Sequence, residues 1–221
     1  MGWTTAVATG TLVALCAVTA ATSNIDPDHR FAWSENVGWT NWRDANAAED
    51  GVVVDDSFLA GFVWAENIGW INLGDGIPGD GIHYANTDDT NFGVNLNSES
   101  GDLFGLAWGE SVGWINFDTA VLGGDHARFD ECEHRFFGYA WAENVGWINL
   151  NDATHFVAVG PCAAGDLDCS GEVTLDDFAG FPSSLSGPDA ATACSAFDVD
   201  DDNDVDLVDY AEMQRAFMTL P

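Results

Sequence analysis

The chain has 221 residues, 47% hydrophobic and 12% aromatic, which is enough for a packed core and unlike a disordered chain. Its 37 Asp and Glu face 5 basic residues, all arginine, for a formal net charge of -32. Such a surface repels phosphates and anionic headgroups, which excludes nucleic acid and acidic membranes as partners and leaves solubility in salty water or binding of divalent cations.

The N-terminal stretch runs from Ala6 to Ala21 without a charge and ends in small residues. It reads as a secretory signal peptide over 1–21, cut near Ala20 or Ala21, and implies a secreted or cell-surface protein with no membrane span after its removal. Cys16 follows Leu15, where a lipoprotein box requires a small residue, so lipidation is not expected. The remaining cysteines, Cys132, Cys162, Cys169 and Cys194, are even in number and read as two disulfides with three possible connectivities. Spacing favours Cys132 with Cys162 and Cys169 with Cys194.

Residues 22–163 carry one phrase four times: FAWSENVGWTNW (31–42), FVWAENIGWINL (62–73), LAWGESVGWINF (106–117) and YAWAENVGWINL (139–150). The tryptophan pairs Trp33/Trp39, Trp64/Trp70, Trp108/Trp114 and Trp141/Trp147 recur 31, 44 and 33 residues apart, the mark of an internal repeat. Aromatic and branched residues flank Glu-Asn-x-Gly, so each copy is expected to be a β-hairpin whose Asn and Gly supply left-handed backbone at the turn. An apolar segment follows each hairpin, at 51–55, 92–96, 126–130 and 155–159, the last of which is placed to complete the first unit.

The expected fold is therefore mainly β: four antiparallel three-stranded β-meander repeats forming a small propeller or a stacked β-repeat domain. Both faces of these strands are apolar, which suggests sheets sandwiched between other sheets. The repeated tryptophans are expected to be packing elements that each unit inserts into the next, with Trp42, Tyr84 and Phe137 as the better candidates for an exposed surface. Glu66/Asn67 and Glu143/Asn144 do not make an acid pair, because each turn carries a single carboxylate and glycoside hydrolysis requires two held about 5 to 10 Å apart. Asn as turn former and Glu as cap of turn amides is the expected account. His83, His126 and His155 are read as polar entries to the third strands, since none has a second His or Cys at ligand spacing.

The composition changes over 160–166, and residues 164–221 hold two twelve-residue acidic runs, DLDCSGEVTLDD (166–177) and DVDDDNDVDLVD (198–209). Oxygen-bearing residues occupy loop positions 1, 3, 5, 9 and 12, and a loop of this length wraps Ca2+ with alternate side chains and one carbonyl. Two calcium sites are expected. One uses Asp166, Asp168, Ser170, Thr174 and Asp177 with the carbonyl of Glu172. The other uses Asp198, Asp200, Asp202, Asp206 and Asp209 with the carbonyl of Asp204. Gly171 and Asn203 suit the sharp turn at position 6, and Val173 and Val205 are expected to pair as a short bridge between the loops.

Two such loops, each running into a short helix (LDDFAGF and LVDYAEMQRAFM) and each ending in Asp, resemble the type I dockerin domain. The resemblance implies a small α-helical pair of calcium loop-helix motifs, a cohesin-like or cell-surface protein partner, and association with polysaccharide-degrading systems. Positions 10 and 11 carry Leu175/Asp176 and Leu207/Val208 where the family often has Ser or Thr, and Pro182 is expected to cut the first helix short. With no nucleophile elbow, base with an orienting partner or acid pair in view, the chain is expected to be a non-catalytic attachment protein. The alternative reading is a carbohydrate-binding component or a protein associated with a polysaccharide-degrading glycoside hydrolase.

Overall fold

The structure is a computed structural model that describes residues 22–45, 51–160, 166, 173–175, 177–178, 181–188, 190, 197–200 and 202–218. The expected signal peptide and the candidate ligands Asp168, Ser170 and Glu172 lie outside the described residues.

Among the described residues the strands are, in chain order, β1 (Ile25–Ser34), β2 (Gly38–Asn41), β3 (Val53–Val54), β4 (Phe58–Ala65), β5 (Gly69–Gly74), β6 (Val94–Leu96), β7 (Leu103–Gly109), β8 (Gly113–Asn116), β9 (Arg128–Asp130), β10 (Arg135–Phe137), β11 (Tyr139–Ala142), β12 (Gly146–Asn149) and β13 (Val157–Val159). The Trp-rich phrases fold as the hairpins β1/β2, β4/β5, β7/β8 and β11/β12. Each turn closes a pair such as Ala65↔Gly69 or Ala142↔Gly146, so three residues lie in the loop and the glycine follows them. Gly38, Gly69, Gly113 and Gly146 have φ between +71° and +83°, as a three-residue hairpin loop with a glycine bulge requires.

The asparagines play a different part from the one expected. Described non-glycine residues with positive φ are Asn86, His134 and Asn203, so the turn residues Asn36, Asn67 and Asn144 are not left-handed. Glycine alone meets the backbone requirement, which frees the Asn amides to bond elsewhere. The next loop residue points inward: Val37, Ile68 and Val112 are buried, and Val145 packs against the same core.

Hairpins join edge to edge through β2–β4, β5–β7 and β8–β11. The first and last hairpins also meet, since Ser34 Oγ donates to Trp147 O at 3.3 Å and Asn36 Nδ2 donates to Val145 O at 2.6 Å. A second tier forms below. There β6 pairs with the first halves of β4 and β7, β3 pairs with β4, and β13 pairs with β1 and β10. The last segment thus joins the first strand, as its position in the chain suggested. Asn24 holds the start of β1 to β3 by bonds of 2.8 Å in both directions with Val54, and an Asp102↔Arg128 bridge links β7 to β9.

The pairing is one antiparallel 13-stranded sheet, in place of separate blades or stacked layers. It encloses one main core, with Phe58, Ala60 and Tyr84 as a small second cluster beside it. Ala32, Ala65, Ala107, Ala140 and Ala142 share this core with Val63, Ile71, Ile115 and Ile148 from the hairpins and Leu59, Leu103, Phe136 and Val157 from the second tier. Small alanines face inward because strands from all four hairpins converge on the same space. Between tiers, Gly61, Gly105 and Gly138 sit at equivalent places with φ of +91°, +92° and +81°. A Cβ there would strike the carbonyl oxygen of Gly51, Gly93 or His126, so only glycine lets the third strand lie this close.

In the acidic C-terminal part, α1 (Phe181–Ser184) and α2 (Leu207–Met218) are helical. Leu175, Asp177 and Phe178 are turn residues, so the first helical turn comes later than the acidic run suggests and includes Pro182 near its start, where the missing N–H costs nothing. Phe181, Val205 and Met213 form a separate small core with Phe178 and Phe197 against it. No helix among the described residues is long and apolar enough to cross a membrane.

Candidate functional site

Side chains along a strand alternate in direction, so the inward alanines and isoleucines force the repeat tryptophans outward. Trp33, Trp39, Trp64, Trp108, Trp114, Trp141 and Trp147 keep 38 to 42% of their surface exposed, and Trp70 is half-buried beside Phe62. The expectation that these rings lock one unit into the next is overturned: the inward positions beside them on the hairpin strands are held by Ala, Val and Ile, and the one buried indole among the described residues is Trp42, outside the four pairs. Within each hairpin the tryptophans stand directly opposite each other, and three pairs meet edge to face at 5.0, 4.8 and 4.6 Å between ring centroids. Trp39 meets His155 instead at 4.7 Å.

The residues expected to be exposed behave the other way. Trp42 and Tyr84 are each 3% exposed. Trp42 packs on Phe136, and Tyr84 fills the space left by Gly74 and Gly93 while its hydroxyl accepts the Gly76 N–H at 2.7 Å. Burial pushes the Tyr84 phenol up to about 12. Phe137 is half-buried between the guanidinium groups of Arg128 and Arg135.

Turn residues carry the links between hairpins. Asn144 Nδ2 donates to Val112 O at 2.8 Å, Asn36 Nδ2 to Val145 O at 2.6 Å, and the backbone N–H of Asn67 to Val37 O at 3.1 Å. The third hairpin has Ser111 at this position. Glu66 accepts the Trp39 N–H at 3.4 Å, which places a carboxylate of one hairpin beside a tryptophan of its neighbour rather than over its own turn. The asparagine after Trp-Ile or Trp-Thr ends the strand in β2, β8 and β12 and lies two residues before the end of β5. Asn41, Asn72, Asn116 and Asn149 each accept a backbone N–H two residues on, at 2.9 to 3.2 Å.

In the second acidic run the structure gathers the carboxylates of Asp198, Asp200 and Asp202, and separately those of Asp204, Asp206 and Asp209, each group within 4.8 Å. The two groups adjoin, since the backbone N–H of Asp200 donates to Asp209 at 3.3 Å. Asp198 accepts the N–H of Asp202 at 3.0 Å and of Asn203 at 2.9 Å, while Asn203 adopts φ +72° as position 6 demands. Asp209 accepts from Val199 at 2.7 Å and from Asp206 at 2.7 Å. In the first run Asp177 accepts from Thr174 at 2.5 Å, the same relation between positions 12 and 9, and Asp166 and Asp177 are buried.

Val205 does not form its backbone bridge with Val173. Its N–H donates to Ser186 Oγ at 2.8 Å and its carbonyl accepts from Ser186 and Gly187, so the turn after α1 occupies the place expected for the other loop. Asp200 has its pKa raised, by partial desolvation and then by repulsion from Asp202, Asp209 and Asp198.

Histidines pair with aspartates: His126 with Asp102, 24 residues away, at 2.5 Å and His155 with the nearby Asp152 at 3.1 Å. Both precede third strands, whereas His83 lies in the loop between β5 and β6. Backbone N–H bonds hold the Asp80 and Asp152 carboxyls below the usual range, and bonds from Thr90 do the same for Asp88. Among the described residues no group of metal-capable side chains other than the two Asp triads comes together. Cys132 is disulfide-bonded, and the other cysteines lie outside the described residues.

Comparison with protein-family models, with curated proteins and with solved structures gave no match.

Proposed function

We propose that this chain is an exported, non-catalytic, calcium-binding attachment protein. Its β part reads as four repeats of one hairpin-plus-strand unit, and its C-terminal part as a dockerin-like pair of loop-helix motifs that takes two Ca2+ ions. The observation that carries the reading is the loop over 198–209, where Asp198, Asp200 and Asp202 converge, Asn203 makes the left-handed turn and Asp209 reaches back to Val199 and Asp206. Oxygens so arranged suit a hard cation that takes six to eight ligands at about 2.3 to 2.6 Å. Ca2+ would neutralise carboxylates that otherwise repel, so binding and folding of this part are coupled. The dockerin-like reading implies a cohesin-like or cell-surface protein as partner of the C-terminal part, and cysteine spacing favours Cys132–Cys162 and Cys169–Cys194 as the disulfides.

The tryptophans exposed around the β part favour a second reading for that part, a carbohydrate-recognition surface, because flat indole faces suit the apolar face of a pyranose. Calorimetric titration of the full chain with Ca2+ is expected to give two sites and a gain of helical circular dichroism. No heat and no spectral change would remove the calcium reading.

A further inference from the structure

We infer that the tryptophan belt binds a polysaccharide of amino sugars whose amines are free and cationic; this rests on the carbohydrate reading of the β part and names its ligand class.

The belt repeats. Each hairpin presents two opposed tryptophans on its outer face, and each turn adds one exposed glutamate, Glu35, Glu66, Glu110 or Glu143. A surface written four times suits a ligand that itself repeats, which favours a sugar polymer over a peptide of varied sequence.

Charge then selects the kind of polymer. A protein of net charge -32 repels uronic-acid and sulfated chains. Glu66 places its carboxylate at the backbone N–H of Trp39, so an aromatic ring and a negative group from neighbouring hairpins stand side by side. A pyranose bearing an ammonium group matches both, by stacking on the indole and pairing with the carboxylate.

The chain's own arginines leave the indole faces open, although Arg30 reaches Phe31 on the outer face of β1 beside Trp33 and His155 meets the edge of Trp39. Arg30 lies over Phe31 at 5.0 Å, Arg128 over Phe137 at 4.5 Å, and Arg135 over Phe156 at 3.8 Å. Among the described residues no arginine lies over a tryptophan, although indole is the strongest of the cation-binding rings. None of the four turn glutamates forms an ion pair with a described basic residue.

The test uses the full chain with Ca2+ present, at mildly acidic pH where the amines are charged and glutamate is ionised. A fully deacetylated glucosamine hexamer, its N-acetylated counterpart, a neutral glucose hexamer and an arginine-rich peptide are titrated while tryptophan emission and heat are followed. The deacetylated hexamer is expected to bind at least about tenfold more tightly than either neutral hexamer. Replacing Glu35, Glu66, Glu110 and Glu143 together by Gln is expected to abolish that preference while the circular dichroism of the folded protein is retained, since all four are exposed and a Gln oxygen still accepts the Trp39 backbone N–H.

Trp141→Thr with Trp147→Thr is expected to remove about a quarter of the binding capacity, and Trp141→Phe with Trp147→Phe to restore it. Equal binding of acetylated and deacetylated hexamers overturns the inference and leaves the carbohydrate reading in place. Silence toward all three sugars removes both. Tighter binding of the peptide, or binding indifferent to the tryptophan variants, overturns the inference in favour of a basic protein partner or of unspecific charge attraction.

Discussion

The side-chain amide of Asn36 donates a 2.6 Å hydrogen bond to the carbonyl of Val145, 109 residues further along the chain, and so ties the first hairpin to the last. Asn144 makes the same bond to Val112 between the fourth and third hairpins. The backbone N–H of Asn67 adds a third such link, to Val37, so three of the four turns are tied to a neighbouring one.

These links are expected to contribute measurably. Asn36→Ala and Asn144→Ala should each cost about 1 kcal/mol, or roughly 2–4 °C in the melting midpoint of a domain this size. Ser111 stands where the other turns have Asn, and Ser111→Asn is expected to add about 0.5–1 kcal/mol by supplying the missing amide. Scanning calorimetry of the three variants checks both signs.

Inward and outward faces of one strand should respond differently to truncation. Ile148 is buried, and Ile148→Ala is expected to cost about 2–5 kcal/mol through the cavity it leaves. Its neighbour Trp147 keeps 42% of its surface exposed and leaves no enclosed cavity, so Trp147→Ala should cost less than Ile148→Ala despite removing the larger side chain. Urea unfolding of the pair gives the comparison, and the reverse order would place the indoles in the core.

Gly138 combines φ +81° with a carbonyl of His126 where a Cβ would stand. Gly138→Ala is expected to destabilise by more than about 2 kcal/mol, since both the backbone conformation and the close approach oppose the methyl group. Gly69 has φ +80° but open space around it, so Gly69→Ala should cost less, and denaturant midpoints separate the two.

Acid should act with opposite signs on the two parts of the chain. Asp80, Asp88 and Asp152 have folded pKa values below their unfolded ones. Their stabilising effect is present above the unfolded value of about 3.9 and is lost as pH falls through the folded values. Asp152→Asn is therefore expected to flatten the acid limb of the stability curve. Asp200 has a raised folded pKa, so the stability it contributes is present below its unfolded value and lost as pH rises through the folded one. Asp200→Asn should stabilise the calcium-free protein at neutral pH and weaken Ca2+ binding, both visible in melts with and without the ion.

Hairpins and third strands were legible in the chain because Glu-Asn-x-Gly between Trp-x-x runs admits few other structures, and β13 returning to β1 followed from strand count. The direction of the tryptophans was not legible from hydrophobicity, since apolar residues lie on both faces. The readable signal was size: alanine recurs beside the first tryptophan at Ala32, Ala65, Ala107, Ala140 and Ala142, and a closed interior needs the smaller residue. The bonds of Asn36 and Asn144 span hairpins far apart in the chain, and no local pattern encodes them. In the acidic part the described carboxylates of the second run gather as Asp198, Asp200 and Asp202 and as Asp204, Asp206 and Asp209. The partner of Val205 was not foreseen, because Ser186 belongs to a turn outside both loops.

The measurement that bears most directly on the account is collisional quenching of tryptophan fluorescence by acrylamide in the folded, full-length protein. With the repeat indoles outward and Trp42 alone buried among the described tryptophans, most of the emission is expected to be quenched readily, leaving a small protected component that Trp42→Phe removes. Emission dominated by a protected fraction, unchanged by Trp42→Phe, would contradict the outward belt and the binding surface built on it.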